Sequence, residues 1–154
     1  MGFLRCFCYL CALGVCSFFL GRLVSFCSFA ADRIPFRTYP FEKKLYQRLH
    51  VRRWQGHVPD MSRIAKRLMP QKNLSGDYRS RLSCMIQETC VAELIHVLLC
   101  VLGFGCCFLW RGGGLCIALL YFLGNLPFVF IQRYNRPMLQ LLAQSSHHGA
   151  RKES

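Results

Sequence analysis

The sequence predicts an all-α membrane protein with about three transmembrane helices, a C-terminal helical hairpin, and amphipathic helices at the interface. Three observations predict it. The 154-residue chain is 53% hydrophobic with a mean hydropathy of +0.26, too apolar for a typical soluble domain of this size. Leu94 to Trp110 and Leu115 to Ile131 are apolar segments of 17 residues each, joined only by Arg111-Gly112-Gly113-Gly114, which leaves room for nothing but a tight reversal. The net charge of +13 is concentrated between and after the apolar runs rather than within them.

Residues 1–31 form the first element. Phe3 to Ala31 is apolar apart from Arg5 and Arg22, long enough for a span. A cleaved signal peptide ending near Ala30-Ala31 is the competing reading, and the charge distribution argues against it. Thirteen Lys or Arg against five Asp or Glu lie between Asp32 and Ala92, and four more basic residues follow Ile131. Three crossings put both basic regions on one side, the cytoplasmic one by the positive-inside rule, with Arg5 and Arg111 opposite. Arg22 has two open readings: a side chain reaching for headgroups, or a span that ends near Leu20.

Residues 32–76 are basic and aromatic. Phe41, Leu45 and Leu49 recur at helical spacing among Lys43, Lys44, Arg48, Arg52 and Arg53, and Trp54 closes the run. Met61, Ile64 and Leu68 repeat the pattern beside Arg63, Lys66 and Arg67, and Pro70 stops it. Such helices lie in a headgroup layer and pair with anionic lipid; an ordinary solvated helix face is the plainer alternative. Pro70 to Gly76 reads as a polar linker, and residues 145–154 as a polar, disordered tail.

Residues 77–144 hold the hairpin. Seventeen residues at 1.5 Å rise cover roughly 25 Å, so one flanking turn per arm matches a hydrocarbon layer of about 30 Å. With no Gly or Pro between Gly76 and Gly103, the first arm extends backwards as one helix. Thr89, Glu93, His96 and Cys100 then share one stripe at i, i+4, i+7 and i+11. Antiparallel arms bring this stripe to the same membrane face as Gln132-Arg133-Tyr134-Asn135-Arg136-Pro137. His96 suits a general base with Glu93 or a backbone carbonyl holding its ring, against the plainer reading of an interfacial helix end where both groups reach water. Arg133 and Arg136 suit a phosphate or carboxylate, Gln132 and Asn135 suit sugar hydroxyls or an acyl carbonyl, and Tyr134 offers a stacking face. Asn125 lies deeper on the same helix face, beside Pro127; charges that simply end a span are the alternative.

The 11 cysteines form no matched C-x-x-C pairs and read as small packing residues in or beside lipid, with palmitoylation or metal binding as the alternative. No metal site is expected, and His147-His148 reads as incidental. One Glu-x-x-His with so few carboxylates cannot build a di-iron site in a monomer. The basic residues sit in no nucleic-acid-reading module, and no G-x-S-x-G elbow, P-loop, H-E-x-x-H or H-x-x-x-x-D pattern occurs.

The run Glu88 to His96, Gly124-Asn125-Leu126-Pro127, and Gln132 to Pro137 with Leu139 resembles the glycosyl-4,4'-diaponeurosporenoate acyltransferase family of small bacterial membrane proteins. Trp54 with Pro59 fits the same pattern, and the similarity spans Phe41 to Gln144. Met138, Gln55 and Val97 depart from it, where a basic residue, Lys and an aromatic are expected. The resemblance implies esterification of a sugar hydroxyl on a lipid by a fatty acyl group. The donor is an activated thioester, on coenzyme A or an acyl carrier protein, and no bound cofactor is needed. Partners are then the lipid acceptor, the acyl donor and the bilayer. Catalysis is expected at His96 and Glu93, and substrate binding at Trp54, Asn125, Gln132, Arg133, Tyr134, Asn135 and Arg136. A non-enzymatic adaptor, binding anionic lipid or a partner protein through its basic loop, is the alternative from another class.

Overall fold

The structure, a computed structural model, describes residues 1–24, 29–58 and 78–150. Cys27, Pro59, the amphipathic repeat at Met61, Ile64 and Leu68, the linker 70–76, the last four residues and the side chains of His147 and His148 lie outside the description. Six α-helices are described: α1 (Gly2–Val24), α2 (Pro40–Arg48), α3 (Val51–Trp54), α4 (Tyr78–Leu102), α5 (Cys106–Leu109) and α6 (Gly114–Ala150), with 3-10 turns at Gln55–His57 and Gly103–Gly105. There is no strand among the described residues.

Among the described residues, three segments are long and apolar enough to cross a membrane: Gly2–Val24, Leu82–Leu109 and Gly114–Ser145. Each is helical because a backbone in hydrocarbon must satisfy its own hydrogen bonds. The α1 helix continues through Arg22 to Val24, so it does not end near Leu20. Arg22 occupies its last turn, where a cation meets the negative end of the helix dipole. Phe3, Leu4, Phe7, Phe19 and Leu23 remain exposed on α1, as suits a lipid-facing surface.

The hairpin packs α4 and α5 along α6. The chain reverses at Trp110 to Gly114, where the Gly114 N–H donates to the Trp110 carbonyl at 2.7 Å. Gly114 lies against the Cys106 backbone, in space that a β-carbon would fill. Gly103 sits 2.6 Å, measured to where its β-carbon would be, from the Tyr121 ring, so the arms approach closely there. The N-terminal half of α1 joins this end: Cys6 packs with Cys106 and Ala118, and the Tyr9 hydroxyl donates to the Leu102 carbonyl at 2.8 Å. At its other end α1 meets α4 again where Gly21 faces Ile95. Between those contacts lies an apolar cleft of about 420 Å³, lined by residues such as Leu13, Phe19, Leu20, Leu98 and Leu99.

The 29–58 segment folds over the opposite end of the hairpin. The Gln87 amide exchanges two hydrogen bonds with the Phe29 backbone, both 2.6 Å. Pro40 opens α2 at a position where its missing N–H costs nothing, and the Glu42 carboxylate accepts the Tyr39 N–H at 3.1 Å. Glu42 and Tyr46 face the hairpin and are buried, whereas Phe41, Leu45 and Leu49 face away from the protein. His50, with a left-handed backbone (φ 51°), turns the chain into α3, whose Val51 is fully buried.

The long helix α6 runs through Pro127 and Pro137 for 37 residues, roughly 55 Å, well beyond a hydrocarbon layer of about 30 Å. Its last turns therefore project past the boundary. Disorder from Ser145 onward is corrected here: residues 145–150 continue the helix.

Candidate active site at the open end of the hairpin

The stripe expected on α4 faces α6, and each member finds its partner there. Thr89 Oγ1 accepts from Arg136 Nε at 3.0 Å, and the Thr89 carbonyl accepts from Arg136 Nη2 at 3.1 Å. Glu93 accepts from Arg133 Nη1 at 2.7 Å through one carboxylate oxygen and from Arg136 Nη2 through the other. His96 Nδ1 lies 3.0 Å from Asn125 Oδ1. The Cys100 thiol donates to the Phe122 carbonyl at 3.8 Å.

The lower layer, nearer the open end of the hairpin, is built from ions. Arg136 is fully buried, its Nη1 donating to the Phe36 carbonyl at 2.6 Å and its guanidinium set over the Phe36 ring at 5.5 Å. Arg133 grips Glu42 in a bidentate pair, with Nε to Oε2 and Nη2 to Oε1 both at 2.9 Å, and also donates to the Arg37 carbonyl at 2.9 Å. Two guanidiniums and two carboxylates thus neutralise one another, tying α2, α4, α6 and the backbone of residues 35–37 together.

Glu42 lies outside the spans. Burial pushes its carboxyl up, but hydrogen bonds from Arg133 and Tyr46, the Arg133 charge and the Tyr39 N–H together hold it below the ordinary carboxylate value. Burial, then the hydrogen bond it donates to Glu42 at 2.8 Å, pushes the Tyr46 hydroxyl well above the usual tyrosine range.

The upper layer lies one turn nearer the reversal and holds no Asp, Glu, Lys or Arg side chain. The His96 ring stacks on Phe128 with centroids 4.5 Å apart and planes 8° from parallel. Asn125 is 9% exposed, and its Nδ2 donates to the Tyr121 carbonyl at 2.9 Å.

Two expected contacts are corrected. Glu93 does not orient His96: two cations claim its carboxylate, because in a medium of low dielectric a charge–charge contact outweighs one to a neutral ring. Arg133 and Arg136 do not face outward as an anion clamp, since their donors are turned onto Glu42, Glu93, Thr89 and backbone carbonyls. Tyr134 sits edge-on to Tyr46 at 6.3 Å, and the Trp54 indole donates to the Leu49 carbonyl at 2.9 Å, at the α2–α3 corner. Gln132 and Asn135 are half-buried on the same turn of α6 and take no part in the ion network. The residues that sequence reasoning missed are Glu42, Tyr46, Phe36 and Phe128. Glu42 did leave a signal, as the one acidic residue between Asp32 and Asp60.

The family model for glycosyl-4,4'-diaponeurosporenoate acyltransferase matches residues 32–145, the segment that contributes every residue of both layers. This chain belongs to that family. Proteins of the same name from Staphylococcus aureus strains N315 and bovine RF122 / ET3-1 are each 33% identical over 132 residues, covering 80% of this chain and 77% of theirs. No solved structure matches. The chain is therefore an acyltransferase with membrane-spanning helices, and the adaptor alternative is not favoured. The departures at Met138, Gln55 and Val97 leave the buried network untouched, and Met138 and Val97 lie exposed.

Proposed function

We propose that this acyltransferase moves a fatty acyl group from an activated thioester, on coenzyme A or an acyl carrier protein, to a sugar hydroxyl of a glycosylated lipid. A carotenoid glycoside such as glycosyl-4,4'-diaponeurosporenoate is the acceptor that fits the family name. The observation that carries the reading is the pairing of His96 with Asn125 one turn beyond a sealed ion network. In this reading a neutral imidazole serves the region near the membrane boundary where a lipid's sugar and a water-borne donor can meet.

His96 takes the proton of the attacking hydroxyl as its oxygen bonds to the thioester carbonyl carbon. The carbon–sulfur bond then breaks, the proton passes to the departing thiolate, and the ester remains on the sugar. Glu93, Arg133 and Arg136 set the register of the two arms rather than touching the reacting atoms. Gln132 and Asn135 meet the acceptor's hydroxyls from the next turns of α6, while Tyr134 and Trp54 border the same end. The exposed side of α2, with Phe41 and Leu45 beside Lys43, Lys44 and Arg48, lies on anionic headgroups at the cytoplasmic face.

The test is a lipid comparison between a deletion strain and strains restored with the wild-type or the His96→Ala chain. Loss of an acylated glycolipid with build-up of its unacylated precursor, restored only by the wild type, is expected. Restoration by His96→Ala at the normal rate removes the base role, and unchanged lipid masses on deletion remove the reaction.

A further inference from the structure

The amide of Asn125 has only one workable orientation. Its Nδ2 donates to the Tyr121 carbonyl at 2.9 Å, which leaves Oδ1 directed at His96 Nδ1, 3.0 Å away. The flipped amide would press Oδ1 against the Tyr121 carbonyl oxygen, two acceptors with no proton between them. An oxygen facing Nδ1 demands a proton on Nδ1. A neutral imidazole carries a single ring proton, so the lone pair is left on Nε2.

From this geometry we infer that Asn125 is a positioning residue: it fixes His96 as the Nδ1–H tautomer and presents Nε2 as the proton acceptor. The inference rests on the base role proposed for His96 and explains how that base is set without a neighbouring carboxylate. Asn125 is suited to the task because it is buried and anchored to its own helix, four residues after the carbonyl it holds. The Phe128 ring, stacked on the imidazole 4.5 Å away, restrains the ring plane while the amide selects the nitrogen. Glu93, one turn back, is taken up by Arg133 and Arg136, so it does not compete for Nδ1. An amide in this place orients the ring without placing a second charge in the bilayer.

The decisive measurement is nitrogen NMR of the full-length chain in detergent with 15N-labelled histidine, the His96 signals being assigned by their loss in His96→Ala. The wild type is expected to carry its proton on Nδ1. Asn125→Leu, which keeps side-chain bulk but offers no acceptor, should lose that preference. In membranes supplied with palmitoyl-coenzyme A and glycosyl-4,4'-diaponeurosporenoate, its kcat should fall on the order of ten- to a hundredfold with KM little changed. Asn125→Asp retains an acceptor oxygen and should keep the Nδ1–H form and turn over faster than Asn125→Leu. A wild-type proton on Nε2, or an Asn125→Leu chain with the wild-type tautomer and kcat, overturns the inference. Should acyl transfer itself be absent, wild type and His96→Ala would match in the membrane assay while the tautomer stays readable, so the two failures are distinguishable.

Discussion

The two layers at the open end of the hairpin stand one turn apart and do different work. In the ion layer Arg136 has no exposed surface and Arg133 is gripped by two carboxylates, so its charges are turned inward on one another. In the layer above, the imidazole of His96 meets an amide through Nδ1, and the inferred tautomer would leave Nε2 as the acceptor. Charged groups in a candidate site are easily read as its chemistry. Here the charges tie the helices to one another, and the base role proposed for His96 belongs to the layer without them.

The largest expected effect breaks the ion layer. Arg136→Ala leaves Glu93 and Thr89 short of a partner inside the protein, and truncating one member of a buried pair costs about 3–5 kcal/mol. Folded protein recovered from membranes should drop sharply, and thermal unfolding in detergent should shift down, with activity lost as a consequence. His96→Ala sharpens the comparison from the other side. Its unfolding temperature should stay close to wild type while acyl transfer falls by roughly 10²–10⁴-fold, the usual contribution of a positioned base. A His96→Ala chain as unstable as Arg136→Ala would erase the distinction between the layers.

A smaller effect separates Glu42 from the rest of its layer by pH. Its carboxyl is held below the ordinary value near 4.5 in the folded protein, so the folded state binds fewer protons than the unfolded one. Stability from this strut is present above that value and is lost as pH falls through the lower, folded-state one. Tyr46 works in the opposite sense: raised by burial and by Glu42, its stabilisation is full below about pH 10 and is lost at higher pH. Glu42→Gln should flatten the acid limb of an unfolding-temperature profile, and Tyr46→Phe the alkaline one. An acid limb unchanged in Glu42→Gln would mean another carboxylate sets it.

The sequence reading reached the hairpin because its cause is local. Apolar length, a three-glycine reversal and the absence of helix breakers before Gly103 are all written in contiguous residues. The stripe of Thr89, Glu93, His96 and Cys100 was legible for the same reason, since helical period alone puts four side chains on one face. Which group each would meet was not legible. Glu93 and His96 are three residues apart, which invites pairing them, but the choice is made across the hairpin, where two guanidiniums outbid an imidazole for one carboxylate. Glu42 is harder still: its Arg133 partner is 91 positions away, and only its isolation among basic residues hinted that it was not a surface charge.

The same contrast recurs within α2, where its smallest expected effect lies. Glu42 and Tyr46 face the hairpin, Tyr46 packing on Phe130 and Tyr134, whereas Phe41 is 66% and Leu45 42% exposed on the opposite side. An apolar stripe turned away from its own protein loses little when made polar in detergent, because surface substitutions of this kind stay within about 0.5 kcal/mol. Leu45→Gln should therefore unfold near the wild-type temperature in micelles. If the stripe rests in an anionic headgroup layer, the double variant Phe41→Gln/Leu45→Gln should lose protection of the α2 amides from hydrogen exchange in vesicles containing anionic lipid, and lose less in neutral vesicles, where Lys43, Lys44 and Arg48 gain nothing from the surface potential. Equal exchange in both vesicle types would show that α2 is held by Glu42 and Tyr46 alone, so that its inward face accounts for its position.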